Sequence, residues 1–197
     1  MQVVLATANP GKQREFAALL APHGIQLLMQ SALGIDGVEE TGSTFTANAL
    51  LKARHAAACS GLPALADDSG LEVDALDGRP GVHSARFAAV GASDQANNDL
   101  LLAELAGIAG PLRTARYRCV LTLVRNADDT APLVAHGAWE GRITISPAGD
   151  GGFGYDPLFV PAGMAITAAQ LPAEQKNQLS HRGAALRRLL QLLPAWL

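Results

Sequence analysis

Two short segments near the C-terminal end carry the groups best suited to hold a nucleotide. Phe153-Gly154-Tyr155-Asp156 offers a flat aromatic ring that can stack on a base, and Ser180-His181-Arg182 offers hydrogen-bond donors for a carbonyl edge. Two further segments lie upstream, each after an apolar run: Thr7-Ala8-Asn9-Pro10-Gly11-Lys12 and Ala66-Asp67-Asp68-Ser69-Gly70. In combination these segments outline a surface for a base, a cradle for phosphate and an acid able to hold a metal.

Each segment also has an ordinary structural reading. Where the first strand passes into a helix, backbone N–H groups, the positive helix end, the Asn9 amide and the Lys12 ammonium can converge on a phosphate. The same residues make a plain helix start with Asn9-Pro10-Gly11 as its turn, and the segment taken alone favours that. It is not a Walker A loop, because Lys12 is followed by Gln13 rather than Ser or Thr. Asp67 and Asp68 are adjacent, so on an extended chain they point to opposite faces and one of them addresses the ligand. Asp68, nearer the Ser69-Gly70 turn, is the candidate: its carboxylate can bind Mg²⁺ or take a proton from an attacking water. An Asp that merely caps a turn is the alternative. Glu39-Glu40 supplies a second carboxylate for a metal, or else two solvated acids near a helix start. Lys176 reads as a solvent-facing helical lysine unless it turns toward phosphate. His181 and Arg182 fall on a first helical turn, where the helix dipole disfavours cations, and that local misfit points to function.

The elements that must position these groups follow from periodicity. Val3 to Ala6 reads as a buried strand, followed by a helix from Pro10 through Phe16, Leu19 and Leu20. Gly24 to Met29 reads as a strand, and Ser43 or Thr44 caps a helix that ends at Gly61 and buries Phe45, Ala49, Ala53 and Ala57. Leu62 to Ala66 is a short apolar run broken by the acids, and Leu71 to Leu76 alternates like a strand with one wet face, so the acids are expected at a strand end. Asp77 to Ala88 is a loop, and Ser93 caps a helix to Ala106. Thr114 to Arg125 and Leu133 to Ile145 are the best hairpin candidate. A glycine-rich stretch leads into Tyr155 to Val160. The last helix starts from Ser180, with Ala185, Leu186, Leu189, Leu190 and Leu193 on one face. Strands alternating with helices around an inserted hairpin predict an α/β domain with a mixed sheet over residues 1–197, with a second lobe at about 77–145.

Composition narrows the classes. The chain has 197 residues, 49% hydrophobic and 17% charged, long enough to bury its own core without disulfides or a structural metal. A formal net charge of -3 argues against a long nucleic-acid groove but leaves room for a small anion held by local charge. No apolar run reaches the length of a membrane span, and the opening Met1-Gln2-Val3-Val4-Leu5 lacks an export signal, so a cytoplasmic protein is expected. Cys59 and Cys119 are expected to be reduced core residues. No G-x-G-x-x-G follows the first strand, which argues against a dinucleotide oxidoreductase.

The ordered set of motifs resembles the inosine triphosphate pyrophosphatases, in particular the bacterial enzymes that hydrolyse dITP, ITP and XTP. The resemblance runs through Thr7 to Lys12, Glu39-Glu40-Thr41-Gly42, Asn48 with Lys52 and Ala53, Ala66 to Leu71, Pro80-Gly81, Ser84-Ala85-Arg86, Gly152 to Pro157, Lys176-Asn177 and Ser180-His181-Arg182. Two positions depart from it: Ala8 where glycine is frequent, and Gln170 where Glu is usual, the second affecting a local contact. The resemblance implies an elongated mixed sheet flanked by helices, two lobes around an active-site cleft, a homodimer and a required Mg²⁺. It also implies conversion of a nucleoside triphosphate to monophosphate and pyrophosphate. It would place Thr7, Ala8, Asn9, Pro10, Gly11, Lys12 and Lys176 on the triphosphate, Glu40 and Asp68 at the metal, and Asp68 as proton acceptor. Phe153 would stack on the base, Asp156, His181 and Arg182 would shape its pocket, and Ser69, Gly154 and Tyr155 would also touch substrate. The rivals are a related pyrophosphatase for pyrimidine nucleotides and a non-catalytic nucleotide sensor, which would need no Asp68.

Overall fold

The structure is a computed structural model that describes residues 1–196, with side chains through residue 194. Six strands and five helices follow in the order β1 (Gln2–Ala6), α1 (Pro10–Leu20), β2 (Gln26–Met29), α2 (Phe45–Ser60), β3 (Ala64–Val73), α3 (Asp94–Glu104), β4 (Thr114–Val124), β5 (Leu133–Ile143), β6 (Phe159–Pro161), α4 (Ala173–Leu179) and α5 (His181–Trp196). The strands form one mixed sheet ordered β2-β1-β3-β4-β5-β6, flanked by helices. β1 runs parallel to both β2 and β3, while β5 and β6 pair antiparallel.

Local chemistry sets the element ends. Asn9 is the N-cap of α1, its side chain accepting from the N–H groups of Gly11 and Lys12, and Pro10 opens the helix where no partner for its nitrogen is needed. Thr44 caps α2 by accepting from Ala47 N–H, and Gly61 closes that helix in the left-handed conformation (φ 68°) that glycine adopts without steric cost. Ser93 caps α3.

The expectation for the acidic segment requires correction. β3 is continuous over ten residues, so Asp67-Asp68-Ser69-Gly70 lies within a strand and not in a turn at its end. The turn-forming composition is overridden because both carboxylates find charged partners while extended. The registers Leu5↔Leu65 and Ala6↔Ala66 put the end of β1 beside the start of the acidic pair. The loop from β1 into α1 and the Asp67-Asp68 pair therefore occupy the same end of two parallel strands, a usual place for ligands in such sheets. Two other expectations also shift. A short 3-10 helix, Gly81–Arg86, interrupts the expected loop. Cys59 is exposed, and only Cys119 is a buried cysteine.

Two compact units divide the chain. The first takes Met1–Asp68, Cys119–Gly137 and the chain from Arg182 on; the second takes Ser69–Arg118 and Ala138–His181. The second is thus drawn from two stretches of the chain. Each unit has its own core. In the first, Phe16 and Leu20 of α1 and Ala185, Leu186 and Leu189 of α5 pack with Val3, Leu5, Leu65, Leu121 and Leu123. A small-residue layer of Ala53, Ala56 and Ala57 packs with Val4, Ala6, Ala64 and Ala66. The second unit buries Leu71, Val73, Leu101, Leu105, Trp139, Ile143, Tyr155 and Phe159. Fully burying one such large apolar side chain stabilises the fold by about 1.5–3 kcal/mol, enough for each cluster to fix the polar groups it borders.

Candidate active site

The first unit carries a charged cluster built around the two aspartates. Asp67 is fully buried and meets Lys12 Nζ in an ion pair, Arg182 Nε at 3.6 Å, and the Cys119 thiol, which donates to its Oδ2 at 3.1 Å. Arg182, also buried, donates from Nη1 to Glu15 Oε2 at 2.9 Å. Burial pushes the Asp67 pKa upward, but the charges of Lys12 and Arg182 overcome it and hold the carboxyl well below the ordinary carboxylate range. Burial works against the charge on Arg182 too, and Asp67 and Glu15 outweigh it. The Cys119 thiol is pushed well above its ordinary range by burial and by Asp67, so it is a protonated donor and not a nucleophile.

Asp68 stands on a different set of contacts. Lys52 Nζ lies 2.8 Å from Asp68 Oδ1 and 2.5 Å from Glu40 Oε1, so one ammonium joins both carboxylates. Asn48 Nδ2 donates to Asp68 Oδ2 at 3.3 Å, while Asn48 Oδ1 accepts from Gly42 N–H at 2.7 Å. Asn48 and Lys52 are four apart on α2 and so share a helix face. Gly42 has no room for a side chain, since a Cβ there would lie 2.5 Å from Asn48 Oδ1. Burial raises the Asp68 pKa, with Lys52 opposing it, which gives this carboxylate more proton affinity than a surface acid. Lys52 stays protonated because Asp68 and Glu40 outweigh the burial that disfavours its charge.

The second unit carries the aromatic cluster. Asp156 is buried and its Oδ2 accepts from Lys176 Nζ at 2.6 Å and from Phe153 N–H at 2.9 Å, while its Oδ1 accepts from Tyr117 O–H at 3.2 Å. Lys176 Nζ also lies 4.8 Å from the centre of the Phe153 ring, within cation–π range. His181 is buried and stacks on Tyr117 with ring centres 4.6 Å apart and planes 7° apart. Gly152 (φ 74°) must be glycine, because a Cβ would fall 2.0 Å from Asp156 Oδ2. The Tyr155 ring belongs to the core, and its hydroxyl donates to Ser84 O at 2.8 Å.

Several of these placements depart from the residue types read in isolation. The Asn9 side chain is occupied with the N–H groups of Gly11 and Lys12, as at an ordinary helix start, while Thr7 Oγ1 accepts from Asn9 N–H. Lys12 nonetheless reaches the acidic pair. Asp67, which alternation set aside, is the more heavily paired acid. Lys176 is buried against Asp156 and does not face solvent. Arg182 contacts acids of the first unit, and His181 belongs with the second unit's rings. Ser69 is half-buried within β3, Gly154 is half-buried, and Ala8 and Pro10 are exposed. Glu39 is exposed while Glu40 reaches Lys52. Gln170 has a defined role of its own: its Oε1 accepts from Thr167 N–H at 2.9 Å, completing a capping box. Glu15, Cys119 and Tyr117 are partners that no local pattern marks, because each comes from an element distant in sequence. Lys52 had a readable signal in its i,i+4 spacing from Asn48.

Among the described residues no three or more His, Cys, Asp or Glu side chains gather into a metal site. Glu40 and Asp68 are the two carboxylates that Lys52 joins. That donor set fits Mg²⁺, which binds through one or two carboxylates with waters and substrate phosphates completing its shell, and it suits neither zinc nor a calcium cage.

Lysine–aspartate pairs in the first unit, and a ring beside a buried ion pair in the second, accord with a hydrolase of α/β architecture acting on phosphoanhydride bonds. The model of the Ham1 family matches residues 3–192. A Pectobacterium atrosepticum protein named dITP/XTP pyrophosphatase is 55% identical over 98% of each chain, and a Methylococcus capsulatus protein of the same name is 57% identical over 93% of this chain and 92% of that one. Among solved structures, a HAM1 protein from Coxiella burnetii superimposes with a TM-score of 0.90 at 45% identity over 99% of each chain. The nucleoside-triphosphatase / dITP/XTP pyrophosphatase of Mycobacterium abscessus does so with a TM-score of 0.75 at 43% identity, over 96% of this chain and 99% of that one. The chain belongs to the Ham1 family.

Proposed function

We propose that this protein hydrolyses the non-canonical purine nucleoside triphosphates dITP, ITP and XTP to the monophosphate and pyrophosphate, removing deaminated purines from the nucleotide pool. The observation that carries the chemistry is the contact of Lys52 with Asp68 and Glu40: a buried carboxylate of raised proton affinity beside a fixed cation. The names of full-length relatives supply the substrate class.

In this reading the triphosphate meets the Thr7 to Lys12 segment, Ser69, Lys52 and Lys176. Asp68 accepts a proton from the water that attacks the α-phosphorus, and the P–O bond to the departing pyrophosphate breaks. When bound at Glu40 and Asp68, Mg²⁺ would neutralise charge on the phosphate oxygens and the leaving group. A general base contributes about 10² to 10⁴-fold, short of what even modest enzymes supply, so the fixed lysines carry a large share through charge stabilisation. Asp67 serves by holding Lys12 and Arg182 in place. Phe153 stacks on the base, and His181 and Arg182 donate to the carbonyl at its position 6. Adenine presents an amino donor there and would leave those donors unpaired, a penalty of about 1–3 kcal/mol or more. The protein would act as a homodimer in the cytoplasm; among the described residues no helix is long and apolar enough to cross a membrane.

The test is pyrophosphate release, separated from orthophosphate, with ITP, XTP, dITP, GTP and ATP, with and without Mg²⁺. Metal-dependent pyrophosphate from the first three and little from the last two is expected. Orthophosphate as product overturns the cleavage position, and tight nucleotide binding without product makes the protein a sensor.

A further inference from the structure

The helix α3 holds the Phe153-Gly154-Tyr155 backbone by both of its polar groups, and nothing in the proposed chemistry uses that helix. Asp94 Oδ2 accepts from Gly154 N–H at 2.6 Å, and Asn98 Nδ2 donates to Gly154 O at 3.0 Å. The two residues are four apart, so they lie on one helix face. The N–H belongs to the peptide joining Phe153 to Gly154 and the carbonyl to the peptide joining Gly154 to Tyr155, so the pair fixes both planes. These ties act in a glycine-rich stretch. Gly149, Gly152 and Gly154 all have positive φ, and Gly154 has open space around the Cβ position. Glycine there costs backbone order that external bonds must supply.

Asn98 is buried, and Gly154 O, which can only accept, selects the donor end of its amide, so the side chain has one orientation. The neighbouring Asn97 extends the bracket: its Oδ1 accepts from Ala88 N–H at 2.9 Å and its Nδ2 donates to Ala85 O at 3.3 Å.

We propose that Asp94 and Asn98 are positioning residues for base recognition, clamping Gly154 so that Phe153 presents its ring in the orientation the base requires. The proposal rests on the reading that Phe153 to Asp156 receive the base. A charge-assisted hydrogen bond at a partly exposed position governs about a tenfold change in affinity when lost.

The test uses the full chain and two ligands: IMP, which carries a base, and inorganic tripolyphosphate, which does not, both measured by calorimetry, with melting temperature alongside. Asp94→Ala is expected to weaken IMP about tenfold and leave tripolyphosphate within twofold. Asp94→Asn retains an oxygen acceptor and should restore IMP binding to within threefold of the parent. Asn98→Ala should give the same base-confined pattern at about fivefold. The proposal is overturned if Asp94→Ala binds IMP like the parent, if both ligands weaken by one factor, or if Asp94→Asn is as impaired as Asp94→Ala. A parent protein that does not bind IMP overturns it as well. Parent protein that binds IMP normally but releases no pyrophosphate from ITP removes the hydrolytic reading and leaves the clamp standing.

Discussion

Replacing Asp67 by Asn tests whether the buried acid that alternation set aside holds Lys12 and Arg182 in place. The carboxylate is fully buried, and its partners Lys12 and Arg182 have side chains only 14% and 6% exposed. Removing one member of a buried ion pair costs about 3–5 kcal/mol, because the other charge is left uncompensated. Two features place this case at the lower end: Lys12 retains some solvent, and Arg182 keeps Glu15 at 2.9 Å. One feature works the other way, since the amide nitrogen of the new side chain would face Lys and Arg, which can only donate. The expected loss is therefore about 3 kcal/mol at pH 7, or roughly 6–12 °C in melting temperature for a chain of this length. The folded-state pKa of Asp67 is depressed, so its stabilisation is complete above the unfolded carboxylate value near 4 and is lost as pH falls. The gap between parent and variant should accordingly narrow by about 1.4 kcal/mol per pH unit below about 4. Urea unfolding at pH 7, 4 and 3 measures both quantities. A loss under 1 kcal/mol at pH 7, or a gap that widens on acidification, would refute the reasoning.

Asp68→Asn should lower turnover of ITP by at least about a hundredfold while binding changes far less, since a general base is removed and Asn still accepts hydrogen bonds; turnover near the parent level would remove Asp68 from the mechanism. Phe153→Ala should raise KM for ITP by about 5- to 150-fold, the range of base–aromatic stacking, with inhibition by tripolyphosphate unchanged; equal weakening of both would show that the ring does not stack. Native protein treated with iodoacetamide at pH 8 should take one adduct, on Cys59, as read by peptide mass spectrometry. Cys119 is buried and its thiol pKa is raised, so it stays protonated and unreactive. Rapid labelling of Cys119 would contradict its place against Asp67.

What the sequence determined by itself was whatever depends on neighbours along the chain. The helix start at Asn9-Pro10-Gly11, a cap at Ser43 or Thr44 (Thr44 in the structure), the cap Ser93, the stop at Gly61 and the α/β alternation follow from local hydrogen bonding and from period, and all appear in the structure. The motifs also carried the family, because residue types in fixed order survive without knowledge of contacts. Partnership was decided only in three dimensions. Asp67-Asp68-Ser69-Gly70 has the composition of a turn, yet it is strand because Lys12 comes from α1, Lys52 from α2 and Arg182 from α5 to neutralise it. Lys176 looked like a surface lysine until Asp156, twenty residues earlier, made its burial tolerable. Nothing in local pattern could pair Glu15 with Arg182 across 167 positions. A buried charge is stable only if its counter-charge arrives with it, and that arrival is settled by the packing of whole elements, which no short window of sequence contains.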